Sequence, residues 1–297
     1  MTQTLGHSGA VKGASCILVS TFCFTVAAAI VKLLSPLYSI FEITFSRNLF
    51  GLVPALWMSA RLGRRGFQTA RPFTHFWRTF FGLANMLLIF TAYSMISLPD
   101  ATSISFAGPL FITALSTPLL GERVGRHRWA AVLIGFVGVL VVLKPGRGAF
   151  HRGGLYALCG AFCFSLAMIS LRKLRTTENA EVTTFYFTAI ACALTGILLP
   201  FGWKMPDAHG GVLLVAIGLI SGIGQFFLTK AYGYADASVI SPFSYTSMIW
   251  ASLLGAFFWG DMLTLSTLAG TGIVIGSGLY ILHRERIRHH KDNAMML

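Results

Sequence analysis

Ala231 to Asp261 reads AYGYADASVISPFSYTSMIWASLLGAFFWGD, and Ala92 to Glu122 reads AYSMISLPDATSISFAGPLFITALSTPLLGE. The two stretches are distant copies. Each begins Ala-Tyr and passes through Asp-Ala and a hydroxyl residue, at Asp100-Ala101-Thr102 and Asp236-Ala237-Ser238. Each carries a proline inside an apolar run and ends on a glycine and an acid, Gly121-Glu122 and Gly260-Asp261. Asp-Ala falls three residues earlier in the second copy, which shortens the loop before it and lengthens the helix after it.

The similarity extends outward from these stretches. Gly13 aligns with Gly153, and Phe22-Cys23-Phe24-Thr25 aligns with Phe162-Cys163-Phe164-Ser165, at an offset of 140. Ala27, Lys32 and Leu34 continue the match to Ala167, Arg172 and Leu174. Glu42-Ile43-Thr44 aligns with Glu181-Val182-Thr183 at an offset of 139, the same offset as the Ala-Tyr and Gly-acid pairs. An offset that stays at 139–140 across a whole half is the mark of a duplication.

The chain of 297 residues is 55% hydrophobic and 11% charged, whereas soluble domains carry about 25% charged residues. Ten apolar runs near the roughly 20 residues that span a bilayer occur at about 13–34, 38–59, 75–97, 101–120, 127–143, 153–174, 182–202, 211–230, 237–259 and 264–283. They are continuous rather than alternating, which selects helices over a barrel. The expected fold class is an all-α membrane protein, its ten transmembrane helices arranged as two inverted five-helix repeats. Inversion follows because five is odd, so the second half enters the membrane from the opposite side. Such repeats are typical of transporters with a site between the halves. The expected divisions are a tail at 1–12, repeats at 13–145 and 146–283, and a basic tail at 284–297.

A net charge of +13 would suit a nucleic-acid binder, but its distribution does not. With a cytoplasmic N-terminus and alternating spans, 17 of the 23 Lys and Arg residues fall on the cytoplasmic side, five outside, and Arg47 inside a span. This positive-inside bias places both termini in the cytoplasm. The segment 144–152, with Lys144, Arg147 and Arg152, is expected outside against that trend. Ala27-Ala28-Ala29 resembles a signal-peptidase site, a reading set aside because the first span has a copy in the chain interior. Cys16, Cys23, Cys159, Cys163 and Cys192 all lie in spans without a C-x-x-C pair and read as packing residues.

No His-Glu-x-x-His, Gly-x-Ser-x-Gly or phosphate-loop motif is present, and the eight histidines lie in loops, tails or helix ends. No catalytic residue, metal ligand or cofactor is therefore expected. Glu42 is the one acidic residue that can sit within a span, and it reads as an interface residue reaching water, which disfavours a carboxylate proton relay. Arg47 lies nine residues after Tyr38, about 13 Å along a helix and near the bilayer middle. Intramembrane arginines face the protein interior or a water-filled cavity. Its partners are expected to be carbonyls or hydroxyls of neighbouring helices, or an anionic group of a substrate; Glu42, about 140° away around the helix, is a poor one. Arg47, Asn85, Tyr93, Gln225, Tyr245 and Trp250 are the candidate cavity residues. Some hydroxyls of the polar ninth span are expected to bond only to their own helix. Pro109, Pro118 and Pro242 are expected to kink the fourth and ninth spans. Asp100 reads as an N-cap, Glu122 and Asp261 as caps of the helices that follow them, and Lys230 as a snorkelling residue. Gly272-x-x-x-Gly276 is a close-approach motif, either within the chain or at a homodimer seam.

Ala-Tyr, a short turn, a proline-bearing helix, Gly-acid and a glycine-spaced helix, twice over residues 13–283, resemble the EamA-type drug/metabolite transporter superfamily. The resemblance implies ten helices, cytoplasmic termini, a bacterial inner-membrane carrier of small metabolites, and a central cavity from spans one, three, four, six, eight and nine. Gly260-Asp261 in place of Gly-Glu, and Met248 in place of the proline matching Pro109, depart from the pattern. The expected function is secondary transport of small organic metabolites, outward rather than inward, by alternating access. Import of a nucleotide-like cofactor is the first alternative, a membrane-embedded enzyme the second and a passive channel the third. The expected partners are a small-molecule substrate and the lipid bilayer, without nucleic acid.

Overall fold

The computed structural model describes residues 7–121, 124–144, 152–174, 177–234 and 241–294. Glu122, Arg123, the segment from Pro145 to His151, Arg175 and Asp236-Ala237-Ser238 lie outside the described residues. The elements are α1 (His7–Leu34), α2 (Ile40–Ala60), α3 (Pro72–Met95), α4 (Leu98–Ser105), α5 (Gly108–Leu120), α6 (Arg126–Leu143), α7 (Arg152–Leu174), α8 (Ala180–Leu198), α9 (Ala208–Tyr234), α10 (Ser247–Trp259) and α11 (Leu265–Ala294). Short 3-10 turns cover Gly63–Phe67, Leu199–Phe201 and Ser241–Thr246. No strand occurs among the described residues.

Among the described residues, seven segments are long and apolar enough to cross a membrane: Val11–Leu34, Leu98–Leu120, Arg126–Leu143, Arg152–Leu174, Ala180–Leu198, Ala208–Leu228 and Leu265–Arg284. The remaining expected spans coincide with α2 and α3, which carry interior charged side chains, and with α10, which is only 13 residues long.

The breaks expected at Pro109 and Pro242 are present, whereas α5 runs through Pro118 without one. The fourth span divides at Phe106-Ala107 into α4 and α5, with Pro109 in the first turn of α5 where a missing N–H costs nothing. The ninth begins with the 3-10 turn that contains Pro242. Pro118 lies inside α5 and Pro54 inside α2. Gly121 (φ 69°) and Gly260 (φ 66°) end α5 and α10 in the left-handed conformation. That conformation favours residues without a Cβ, so the repeated glycine of the Gly-acid pair is a helix stop. Asp100 is not the N-cap of α4. Ser97 is, accepting the Asp100 N–H at 3.1 Å, because Pro99 lets the helix start earlier.

Helices of the two halves pair reciprocally. α1 packs along α9, and α3 along α7. α1 and α7 are the first helices of their halves, and α9 and α3 the third. α6 packs along α11, and α2 packs on both α8 and α9. The loops gather at two ends. At one, Lys32 pairs with Asp261, Tyr38 donates to Asp207, and Lys144 donates to Thr264. At the other, Thr69 Oγ1 and the Ala70 N–H donate to Glu178, and Tyr186 Oη donates to the Phe67 carbonyl.

Gly272 and Gly276 are exposed, and a Cβ on either would meet nothing within 4 Å. They therefore make no close approach to any of the described residues. Gly270 and Gly138 do: a Cβ on Gly270 would lie 2.6 Å from the Gly138 carbonyl oxygen, and one on Gly138 would lie 2.8 Å from that of Gly270.

Candidate functional site

The α2–α9 contact is tight because α9 offers glycines. A Cβ on Gly218 would strike Phe50, and one on Gly222 would strike Pro54. Beside this contact, α2, α8 and α9 enclose a cavity of about 30 Å³ whose lining includes Arg47, Pro54, Phe187, Thr188, Ser221 and Gln225. A water needs roughly 10–15 Å³ by such a measure. The cavity accommodates two or three waters, so an organic solute would require α2 and α8 to part.

Two of the six expected residues, Arg47 and Gln225, thus meet in one cavity. The other four do not line it. Asn85 lies against Gly160 of α7. Tyr93 is partly buried where three apolar clusters meet. Tyr245 stacks edge-on against Phe106, with ring centroids 5.0 Å apart, and its hydroxyl abuts Gly278. Trp250 stacks edge-on against Phe22 at 5.2 Å, its indole N–H buried without an acceptor among the described residues. Unlike the cavity implied for spans one, three, four, six, eight and nine, this one is walled by the second, seventh and eighth. Its lining here follows from the glycine seam that draws α9 onto α2.

Among the described residues Arg47 has no carbonyl or hydroxyl partner on a neighbouring helix. Its Nη1 donates to Asn48 Oδ1 at 3.3 Å and to the Met86 sulfur at 3.6 Å, both neutral and the second a weak acceptor. No carboxylate neutralises it among the described residues.

Arg78 is the residue that sequence reasoning missed. Counted among the 17 basic residues of the expected cytoplasmic side, it lies in α3, six residues past Pro72 and about 9 Å into the helix. Its guanidinium stacks 4.3 Å from the ring centroid of Phe187, which also lines the Arg47 cavity. Its Nη1 is buried with no hydrogen-bond partner among the described residues. A cation–π contact of this kind is worth about 0.5–2 kcal/mol. The signal was its helical position: Phe73, Phe76, Trp77 and Phe80 form the exposed face, and Arg78 points about 150° from its centre.

Glu42 does not reach water. It is fully buried, and its Oε2 accepts the Lys204 N–H at 3.2 Å while Oε1 has no partner among the described residues. The loop Gly202–Asp207 folds over the start of α2 and covers it. Asp261 is likewise not a helix cap: its Oδ2 lies 2.6 Å from Lys32 Nζ, which also sits 4.8 Å from the Trp259 ring centroid. Tyr38 donates to Asp207 at 2.6 Å. This bond holds the Asp207 carboxyl below its usual range and raises the Tyr38 phenol. Lys230 is exposed over Phe226, as expected of a snorkelling residue. Hydroxyls of the ninth span return largely to their own backbone, Thr246 to Phe243, Ser247 to Ser244 and Ser252 to Met248. The five cysteines are free, and no cluster suited to a metal occurs among the described residues.

An all-helical chain in two related halves, with apolar spans and charged side chains turned inward, defines a multi-pass membrane transporter. The model of the EamA-like transporter family matches residues 11–144 and 151–282, and the chain belongs to that family. It is a family of transporters, not of enzymes. The chain is 29% identical over 252 residues to the S-adenosylmethionine uptake transporter of Rickettsia prowazekii (strain Madrid E), covering 83% of this chain and 84% of that protein. It is 27% identical over 282 residues to the pseudopaline exporter CntI of Pseudomonas aeruginosa (strain UCBPP-PA14), covering 93% and 97%. A solved crystal structure superposes with a TM-score of 0.63 at 19% identity, over 92% of this chain and 96% of that one, a likeness of fold.

Proposed function

We propose that the chain is a secondary carrier that exports small organic metabolites across the bacterial inner membrane by alternating access. The observation that carries this reading is a mainly apolar cavity into which Arg47 and Gln225 are set, walled by one helix of the first half and two of the second. Ten spans form two inverted five-helix repeats, 13–145 and 146–283, with cytoplasmic tails at 1–12 and 284–297. The reciprocal pairing of α1 with α9 and α3 with α7 supports the inversion. A second reading, import of a nucleotide-like cofactor, is favoured by the similarity to a transporter named for S-adenosylmethionine uptake. Two copies would associate through the exposed Gly272–Gly276 face.

Metabolite profiling of cells overproducing the protein tests direction. Export enriches a compound in the medium; import depletes it there. Flux of that compound into proteoliposomes, with saturation and counterflow, separates a carrier from a channel.

Sidedness is tested with single cysteines in a cysteine-free background. Arg64→Cys and Met205→Cys, both exposed, are expected to react with an impermeant maleimide from opposite sides of the membrane. Reaction from the same side would end the inverted-repeat reading.

Coupling is tested at Glu42. No carboxylate lines the cavity, so Glu42→Gln is expected to retain at least about a third of wild-type flux with an unchanged pH profile, because one backbone hydrogen bond is weakened and no proton carrier is lost. Complete loss of flux in a folded variant, with a lost pH dependence, would make Glu42 the coupling residue.

A further inference from the structure

Five buried polar atoms on four side chains share an anomaly. His75 Nδ1 and Nε2, Arg78 Nη1 and Thr79 Oγ1 on α3, and Ser221 Oγ on α9, are buried without hydrogen-bond partners among the described residues. His75 and Thr79 have no exposed surface, and Ser221 is 3% exposed. Buried polar groups are normally satisfied; Arg78 stacks on Phe187, Ser221 lines the cavity with that ring, and His75 stacks 4.8 Å from the neighbouring Tyr186. The three α3 residues lie within about one helical turn of each other on the side toward α8. Phe187 carries Arg78 on its ring, and it lines the cavity with Arg47 and Ser221. The nearest carboxylate is Glu178, with Oε2 4.0 Å from His75 Nε2; its Oε1 is bound by Thr69 and the Ala70 N–H. Neither arginine has an ion-pair partner among the described residues.

We infer that Arg78 and Arg47 are two stations of one path for an oxyanion-bearing solute, a carboxylate or phosphate. Guanidinium groups match such anions in geometry as well as charge, and Thr79 and Ser221 supply neutral donors. Arg78, nearer the Glu178 end, receives the anion there, and Arg47 holds it deeper. The path continues the cavity assigned above, and the inference rests on that transport reading for its purpose. The same chemistry would also hold the phosphate of an anionic lipid. The exposed aromatic face of α3 lies on the far side from Arg78, which assigns the site to a solute.

The test is binding to the purified full chain in an uncharged detergent. Sodium phosphate and citrate, compared with chloride at fixed ionic strength, are expected to raise the melting temperature by about 3 °C near ten times the dissociation constant. Arg78→Gln and Arg47→Gln are each expected to abolish the shift, and the surface control Arg64→Gln to retain it. Should the glutamine variants not fold, phenylglyoxal modification of the unaltered protein, located by peptide mass spectrometry, gives the same answer. Phosphate should slow modification of Arg78 at least threefold and leave Arg64 unaffected. An equal shift in Arg78→Gln, or no protection of Arg78, overturns the inference. Stabilisation by phosphatidylglycerol but not by phosphate or citrate overturns it in favour of a lipid site. Binding is read without flux, so an oxyanion bound but never carried would defeat the transport reading and leave the site standing.

Discussion

Gly270→Val is expected to abolish the folded protein, whereas Gly272→Val, two residues away on the same helix, leaves it intact. At Gly270 a Cβ would sit 2.6 Å from the Gly138 carbonyl oxygen and 3.1 Å from the Val142 amide nitrogen. Both are backbone atoms and cannot turn aside, so α11 would have to withdraw from α6 along much of its length. Overpacking typically costs about 1–3 kcal/mol where side chains can yield, and here they cannot. The variant should lose more than that from a stability of about 5–15 kcal/mol. At Gly272 a Cβ meets nothing within 4 Å, so the change should stay within about 0.5 kcal/mol. Size-exclusion profiles and melting temperatures of the two variants, made in parallel, decide it. Equal behaviour would show that α6 and α11 do not cross at these glycines.

Asp261→Asn and Lys32→Met are each expected to destabilise the protein and open one end of it. The pair is short, at 2.6 Å, and mostly buried, with side chains 14% and 20% exposed. Breaking a buried pair costs about 3–5 kcal/mol because the partner is left charged without compensation; residual exposure brings this to about 2–3 kcal/mol. The double replacement Lys32→Met with Asp261→Asn should recover most of the loss, since neither charge is then stranded. Lys32 belongs to the first half and Asp261 to the second, and Ala29 is buried one turn below beside Trp259. A cysteine at Ala29, in a cysteine-free background, should therefore react with an impermeant reagent several times faster in either single variant. Unchanged reactivity together with unchanged stability would mean that the pair does not hold that end closed.

The duplication is read directly from Phe22-Cys23-Phe24 and Phe162-Cys163-Phe164, because a repeat needs no knowledge of packing. The helix stops at Gly121 and Gly260 were equally legible, since a left-handed cap is a local requirement on one residue. Arg47 was legible as a buried charge from its depth alone. Arg78 was not, because it lies about two turns into α3, where a cation near the expected cytoplasmic end is indistinguishable in sequence from one that snorkels to water. Its position opposite the aromatic face of α3 hinted at the interior, and its stacking on Phe187 of another helix places it there.

Two similar motifs divide what was decided where. Composition and period determined by themselves that the chain is helical, membrane-spanning and duplicated, since each follows from the apolar length and pattern of single segments. That Gly270, rather than Gly272 or Gly276, meets another backbone depends on how α11 is rotated against α6. That Asp261 pairs with Lys32, and that Glu42 lies under the Gly202–Asp207 loop, depends on which segment of the other half crosses it. Rotation and crossing are set by the packing of residues more than a hundred positions apart, and no local property of either segment carries them.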